Sequence, residues 1–353
     1  MLHRHIHHSH FTVFVFFSLF LSLLLGYFVI QEMQTPVVLA DENYIPSPHK
    51  NVPDTKILLF GDMMLDRGVR EQININGQEY PFNLIKDFIS GNDLVVANAE
   101  GPFTSFDSLT LGKINAPLNF TFDPTILPTI KNLGFTLLGQ ANNHTLNFGL
   151  DGFAQSKASI AEAGLNYFGD PSNKDGISYV EEINGEKIGF VGYNEFSYEG
   201  KDNIISTIQQ IRNQVSFLII YAHWGVEYSS DFSKSQQKTA HDFIDAGADV
   251  VVGMHPHVIE PIEFYKNKPI FYSIGNFIFD QKQDKTTEGL AIKILLNKEY
   301  ATYEINPFFI NNIQATLMDI KSLQLQLSTL EKNVINPEDF REDITTRTIK
   351  VPR

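Results

Sequence analysis

No cysteine occurs among the 353 residues, which excludes disulfides, thiolate metal ligands and a lipidated cysteine anchor. Positive charge is scarce as well: 27 Lys and Arg stand against 41 Asp and Glu, a formal net charge of −14. Nucleic-acid binding needs a basic stripe, so that class is excluded. An anionic ligand would be held only by a locally positive site, such as metal ions or an arginine. Tryptophan is present once, at position 224.

What the chain does have is one long apolar run. Phe11 to Ile30 is twenty residues without a charge, long enough to cross a bilayer as a helix. Val38-Leu39-Ala40 resembles a small-residue cleavage site, but it lies about ten residues beyond the run, farther than usual for a cleaved leader. An uncleaved signal anchor is therefore expected. Arg4 and several histidines precede the run, and Glu32, Asp41 and Glu42 follow it, which orients the N-terminus inward and the bulk of the chain outside the cytoplasm. The expected organisation is a cytoplasmic segment at 1–10, a transmembrane anchor at 11–30, a Pro- and Asn-rich stalk at 31–54, a folded domain at 55–310, and a C-terminal helix and tail at 311–353.

Within the domain, short apolar strands alternate with helical stretches. Strands are predicted at 56–60, 93–98, 135–139, 217–222 and 249–253, and helices at 82–90, 124–133, 152–163 and 235–246. Asn184-Gly185 marks a hairpin between 179–183 and 187–192. Four consecutive strands follow, at 262–265, 270–274, 289–296 and 302–306. This order implies a mixed pair of sheets with outer helices. A terminal helix is expected over 316–333, and a polar, frayed segment over 337–353.

The histidines are unevenly placed. Of 11, five crowd the N-terminus, and four of the remaining six sit at apparent strand ends beside other ligand-type residues. Gly253-Met254-His255-Pro256-His257 ends one strand, and a two-residue period would send both imidazoles to the same side. Asp62 follows the first strand, Glu100 the second, Asn143-His144 the third, and His223-Trp224 a fourth. Each alone reads equally as a cap, a turn former or a strand-end polar group. Together, hard oxygen donors mixed with imidazoles suit Mn²⁺, Fe²⁺ or Zn²⁺, one ion or two, better than Ca²⁺. Asn143 suggests an amide-oxygen ligand and His144 an acid–base group beside it. Asn276, in a glycine turn, reads as structural.

The ordered set GDMMLDR, NAEGPFT, ANNHTLNFG, HWGVEY, GMHPHVIEPIEFY and KPIFYSIGNFIFDQ resembles the CapA-type poly-γ-glutamate capsule biosynthesis family, placed in the calcineurin-like metallophosphatase superfamily. The resemblance runs from about Lys56 to Asn306 and implies a four-layer α/β/β/α sandwich with metal at strand ends. It implies that Asp62, Glu100 and His257 hold a first metal, with Glu100 bridging. On the same resemblance, Asn143, His223 and His255 would complete a second, and His144 would serve as general acid. Arg67 would pair with a carboxylate or phosphate. Met64 stands where the superfamily usually has a histidine ligand, leaving Asp66 as a substitute or the first site weak or empty. Asn147 stands where the family usually has aspartate. The partners implied are poly-γ-glutamate or another anionic polymer, the membrane and other capsule-synthesis subunits. A phosphoesterase or amide hydrolase with a different substrate, and a non-catalytic assembly factor, stay open beside that reading.

Overall fold

The structure, a computed structural model, describes residues 54–113, 117–336 and 340–353. The apolar run at 11–30 and the stalk up to residue 53 lie outside the described residues. Among the described residues no helix is long and apolar enough to cross a membrane.

The chain opens with β1 (Thr55–Met63), β2 (Leu94–Ala99), β3 (Leu137–Gly139) and β4 (Asn166–Phe168), paired in parallel in that order. It then lays down a separate six-stranded sheet: β5 (Ser178–Ile183), β6 (Glu186–Asn194), β7 (Phe217–His223), β8 (Val250–Met254), β9 (Ile262–Tyr265) and β10 (Lys268–Phe271), ordered β5-β6-β7-β8-β10-β9. The chain returns to the first sheet with β11 (Asn276–Ile278), β12 (Glu288–Leu296), β13 (Tyr300–Asn311), β14 (Gln314–Leu317) and β15 (Thr348–Pro352), making it nine-stranded. Its long antiparallel half lies against β1 through β12.

Strand sequences decide the layering. On β1, Ile57 and Leu59 enter a core shared with Phe190, Ile219 and Tyr221 of the second sheet, while Leu58 and Phe60 enter a core on the opposite face. Both faces being covered explains why β1 and β2 read as near-continuous apolar runs. The outer face of the first sheet is covered by α1 (Arg67–Asn76), α2 (Lys86–Ile89), α3 (Leu127–Asn132) and α4 (Gly149–Glu162), through Val69, Ile89, Ile130 and Ile160. The outer face of the second is covered by α5 (Asp202–Arg212) and α6 (Lys234–Ala246), through Ile204, Ile208, Ala240 and Phe243. Helix, sheet, sheet and helix thus form four layers. The start of α6 is locally encoded by a capping box: Ser233 Oγ accepts from Gln236 N, and Ser233 N donates to Gln236 Oε1 at 2.7 Å.

Three local expectations are corrected. Residues 82–90 do not form one helix. A 3₁₀ turn at Tyr80–Phe82, with proline in its first turn, is followed by the single-turn α2, and a proline there suits a helix start rather than an interior. The helix expected over 316–333 begins only at Ile320, where Asp319 accepts from Ser322 N at 2.9 Å, because Gln314–Leu317 pairs with β13. This α7 (Ile320–Asn333) seats Leu327 and Leu330 in the inter-sheet core. The segment 337–353 is not frayed throughout: after the short α8 (Arg341–Thr345), β15 pairs antiparallel with β13 and buries Ile349 and Val351.

Candidate metal centre

The parallel arms of the two sheets bring the carboxyl ends of β1, β2, β3, β7 and β8 to one rim, the position where open α/β sheets place their ligands. Asp62 reaches the rim through an irregularity in β1: its register with β2 shifts between Leu59 and Asp62. Gly61 permits the bend, since a Cβ there would lie 1.9 Å from the carbonyl oxygen of Gly275. That close approach is what the glycine turn before Asn276 provides.

Asp62 is fully buried and doubly held. Oδ1 accepts from Asn98 Nδ2 at 2.7 Å, and Oδ2 accepts from the backbone N–H of His255 at 2.9 Å. Burial alone would raise its pKa, but contacts with His223 and His257 outweigh that and hold the carboxyl far below the usual carboxylate range. Glu100 is the opposite case. It is fully buried, and neither carboxylate oxygen has a hydrogen-bond partner. Its nearest imidazole nitrogens, Nε2 of His144 and of His257, each lie 3.8 Å away. Burial first, then the charges of Asp62 and Glu227, push its pKa well above the ordinary value.

His255 and His257 do not reach the rim by strand periodicity. β8 ends at Met254, and the two residues take φ values of 96° and 60°. Non-glycine residues in this region store strain of about 1–3 kcal/mol each, commonly at functional sites. The hydrogen bond from His255 N to Asp62 is one contact that holds the strained turn. His255 Nδ1 is buried without a partner, and burial depresses its pKa.

Amides set the orientation of several rings. Asn276 Nδ2 donates to Gln281 Oε1 and Thr286 O, so its Oδ1 must accept, and it does so from His257 Nδ1 at 2.9 Å. The proton is thereby fixed on Nδ1, leaving His257 Nε2 as a free lone pair. Asn98 spans Asp62, His223 Nδ1 (3.2 Å) and, through its oxygen, Asn142 Nδ2 (3.1 Å). His223 Nε2 meets Asn143 Oδ1 at 2.9 Å. His144 Nδ1 lies 3.0 Å from Asn147 Oδ1, which also accepts from Phe120 N, and burial pushes the His144 pKa down to about 4.

The structure therefore brings Asp62, Glu100, Asn143, His144, His223, His255 and His257 together. Asp62, Glu100 and His257 present one donor atom each within 4.8 Å of one another, and so do Glu100, His223 and His255. Glu100 is common to both sets. Three buried orphan atoms (both Glu100 oxygens and His255 Nδ1) in a mixed carboxylate and imidazole cluster could hold a divalent metal.

Arg67 and Asp66 behave differently. Arg67 is tied to Asp280 at 3.0 Å, its guanidinium facing the rings of Phe120 and Phe279. It is thus an occupied cation at the edge of the cluster, not a free one. Asp66 cannot replace a ligand, because its oxygens accept from Ser108 Oγ, Thr110 Oγ1 and Thr121 N at 2.6, 2.9 and 3.1 Å. Trp224 is buried and donates to Tyr272 O at 2.8 Å, whereas half-exposed Phe196 lies over His255, ring centroids 4.3 Å apart. Beside Asn143, a cleft of about 320 Å³ lined also by Lys174, Phe196 and Tyr198 opens to solvent. Sequence reasoning passed over Asn98, Asn142 and Glu227, though all three fall inside motifs it singled out.

Asn276→Ala should free the His257 ring and weaken Mn²⁺ binding by about 10–100-fold, as loss of a ligand-orienting partner does. Isothermal titration of the chelator-stripped full chain would measure it, and unchanged affinity would show that the ring needs no such support.

Two facing sheets with a buried carboxylate–imidazole cluster at their shared rim define an α/β protein with a cluster that could hold a metal. The chain belongs to the bacterial capsule synthesis protein PGA_cap family, whose family model matches residues 56–281. It is 29% identical over 299 residues to the PGA biosynthesis protein CapA of Bacillus subtilis (strain 168), covering 79% of this chain and 77% of that one. It is 28% identical over 272 residues to the capsule biosynthesis protein CapA of Bacillus anthracis, covering 71% and 66%. Among solved structures, a phosphatase from Mycoplasma pneumoniae aligns over 75% of this chain and 91% of its own, with 16% identity and a TM-score of 0.43.

Proposed function

We propose that this protein is a membrane-anchored, extracytoplasmic component of poly-γ-glutamate capsule synthesis or export, with a metal-dependent hydrolase-like site that acts on or holds the polymer. The observation that carries the site is Glu100, a buried carboxylate with both oxygens unpartnered at the meeting point of two donor sets. Such a group is costly in an apolar interior unless a cation compensates it. Family membership and the names of the Bacillus relatives support the polymer. The uncharged run at 11–30 supports the anchor.

A divalent ion held by these residues would supply Lewis acidity to a scissile or bound oxyanion. The chain's own groups do the rest. Asn98 and Asn276 orient Asp62, His223 and His257. His144, its Nδ1–H turned to Asn147, presents Nε2 toward Glu100 and is the group placed to exchange a proton there. Other capsule-synthesis subunits would be its partners at the membrane.

Deleting the gene should abolish cell-surface poly-γ-glutamate, and the intact gene should restore it. Normal polymer in the deletion strain would sink the assignment. For topology, protease added to intact cells should degrade residues 55–353. Protection that disappears only on permeabilisation would reverse the proposed orientation.

A further inference from the structure

The rim carries one more carboxylate than the strand ends account for. Glu227 lies on the exposed turn after β7, and its carboxylate, His255 and His257 each bring one atom within 4.8 Å of one another. The turn is tied down on both sides. Tyr228 N donates to Pro256 O at 2.8 Å, between the two histidines, and Gly225 N donates to Glu195 Oε2 at 2.7 Å.

Three carboxylates, those of Asp62, Glu100 and Glu227, are each grouped with His257, while nearby Arg67 is engaged by Asp280 at 3.0 Å. The donor set is short. Met64 turns its sulfur back to accept from Asp66 N at 3.1 Å and is wholly buried in the outer core, so Asp62, Glu100 and His257 have no further donor from that position. Metal ions of the kind these donors suit take four ligands or more. Glu227 is the remaining described carboxylate grouped with His257.

We propose that Glu227 is a metal ligand of this chain, closing from the solvent side, through its link to His257, the set formed by Asp62, Glu100 and His257. This rests on the metal-centre reading above. It makes the centre a carboxylate-rich one whose outermost donor sits on a turn open to solvent, where an incoming oxyanion can compete for the ion.

The test uses the full chain, stripped with chelator and titrated with Mn²⁺, with elemental analysis and electron paramagnetic resonance as readouts. Glu227→Gln keeps the shape of an exposed side chain, and Glu182→Gln, on the distant β5 hairpin, controls for lost charge. Wild type should take up two ions showing a spin-coupled signal. Glu227→Gln should weaken the ion at Asp62, Glu100 and His257 by at least about tenfold and lose the coupled signal, and Glu182→Gln should change neither. Equal affinities and signals in wild type and Glu227→Gln would overturn the role of Glu227 while the metal centre stands. No Mn²⁺ uptake by wild type would instead overturn the metal-centre reading, and this inference with it.

Discussion

Glu100→Gln is expected to move metal binding and stability in opposite directions. With the shared donor neutralised, Mn²⁺ uptake by the full chain should fall by a factor of a hundred or more, on the order of the larger effects seen when ligand shells are altered. The metal-free variant should nonetheless be the more stable protein at pH 8. A buried carboxylate without partners costs more than a buried amide, and Glu100 has none. Its pKa is raised in the fold, so the stability tied to it is fully present below the unfolded value and lost as pH rises through the folded value. The gain in unfolding midpoint should be about 2–6 °C at pH 8, for roughly 1–3 kcal/mol, and should shrink toward pH 5. Saturating Mn²⁺ should reverse the order, since an ion at a hundred times its Kd adds about 2.7 kcal/mol to the form that binds it. Differential scanning calorimetry across pH, with and without Mn²⁺, measures all of this. A metal-free variant less stable than wild type at every pH would show that Glu100 is satisfied in a way its geometry does not reveal.

His144→Ala separates catalysis from scaffolding. The ring packs 4.4 Å from Phe120 and lies near Glu100 without belonging to either set grouped around it, so metal content and fold should survive its removal. If the ring moves a proton in the reaction, polymer yield or turnover should drop by about 10²–10⁴-fold. Yield is to be measured in a deletion strain complemented at matched protein abundance, and unchanged yield would leave an assembly role. The support beneath the ring gives a second arm. Asn147 Oδ1 accepts from both His144 Nδ1 and Phe120 N, and a carboxylate at 147 would keep both bonds while stabilising the imidazolium. Asn147→Asp should therefore move the His144-dependent limb of the pH profile upward by about one to three units. An unmoved limb would mean that another group sets it.

Much of this was legible in the chain because it was local. Asp62, Glu100, Asn143 and His223 follow apolar runs that could only be buried strands, and parallel pairing leaves the strand ends together. What escaped was decided at a distance. The positive φ of His255 and His257 comes with a turn bonded to Asp62, some 190 residues earlier, and period-two reasoning cannot see it. Asn98 and Asn276 look like any strand-end amides until the ring each one faces is known. The last strand carried its signal in the alternation of Ile349 and Val351, but five residues with exposed Thr348, Lys350 and Pro352 between them gave too little apolar content to outweigh a polar surrounding.

The nested order of the two sheets sets a timetable. Every strand of the second sheet comes from one unbroken stretch, so that sheet can close as soon as it is made. The first sheet is begun before it and finished after it, with β1 waiting for β12 and β11 across the whole intervening chain. Pairings that span such separations are slow to form. Asp62 and Glu100 therefore emerge early but acquire their final setting late, when Asn276 and the turn at Gly275 arrive. A chain interrupted after β10 would hold every side chain of the candidate metal cluster and still lack the frame that gathers them.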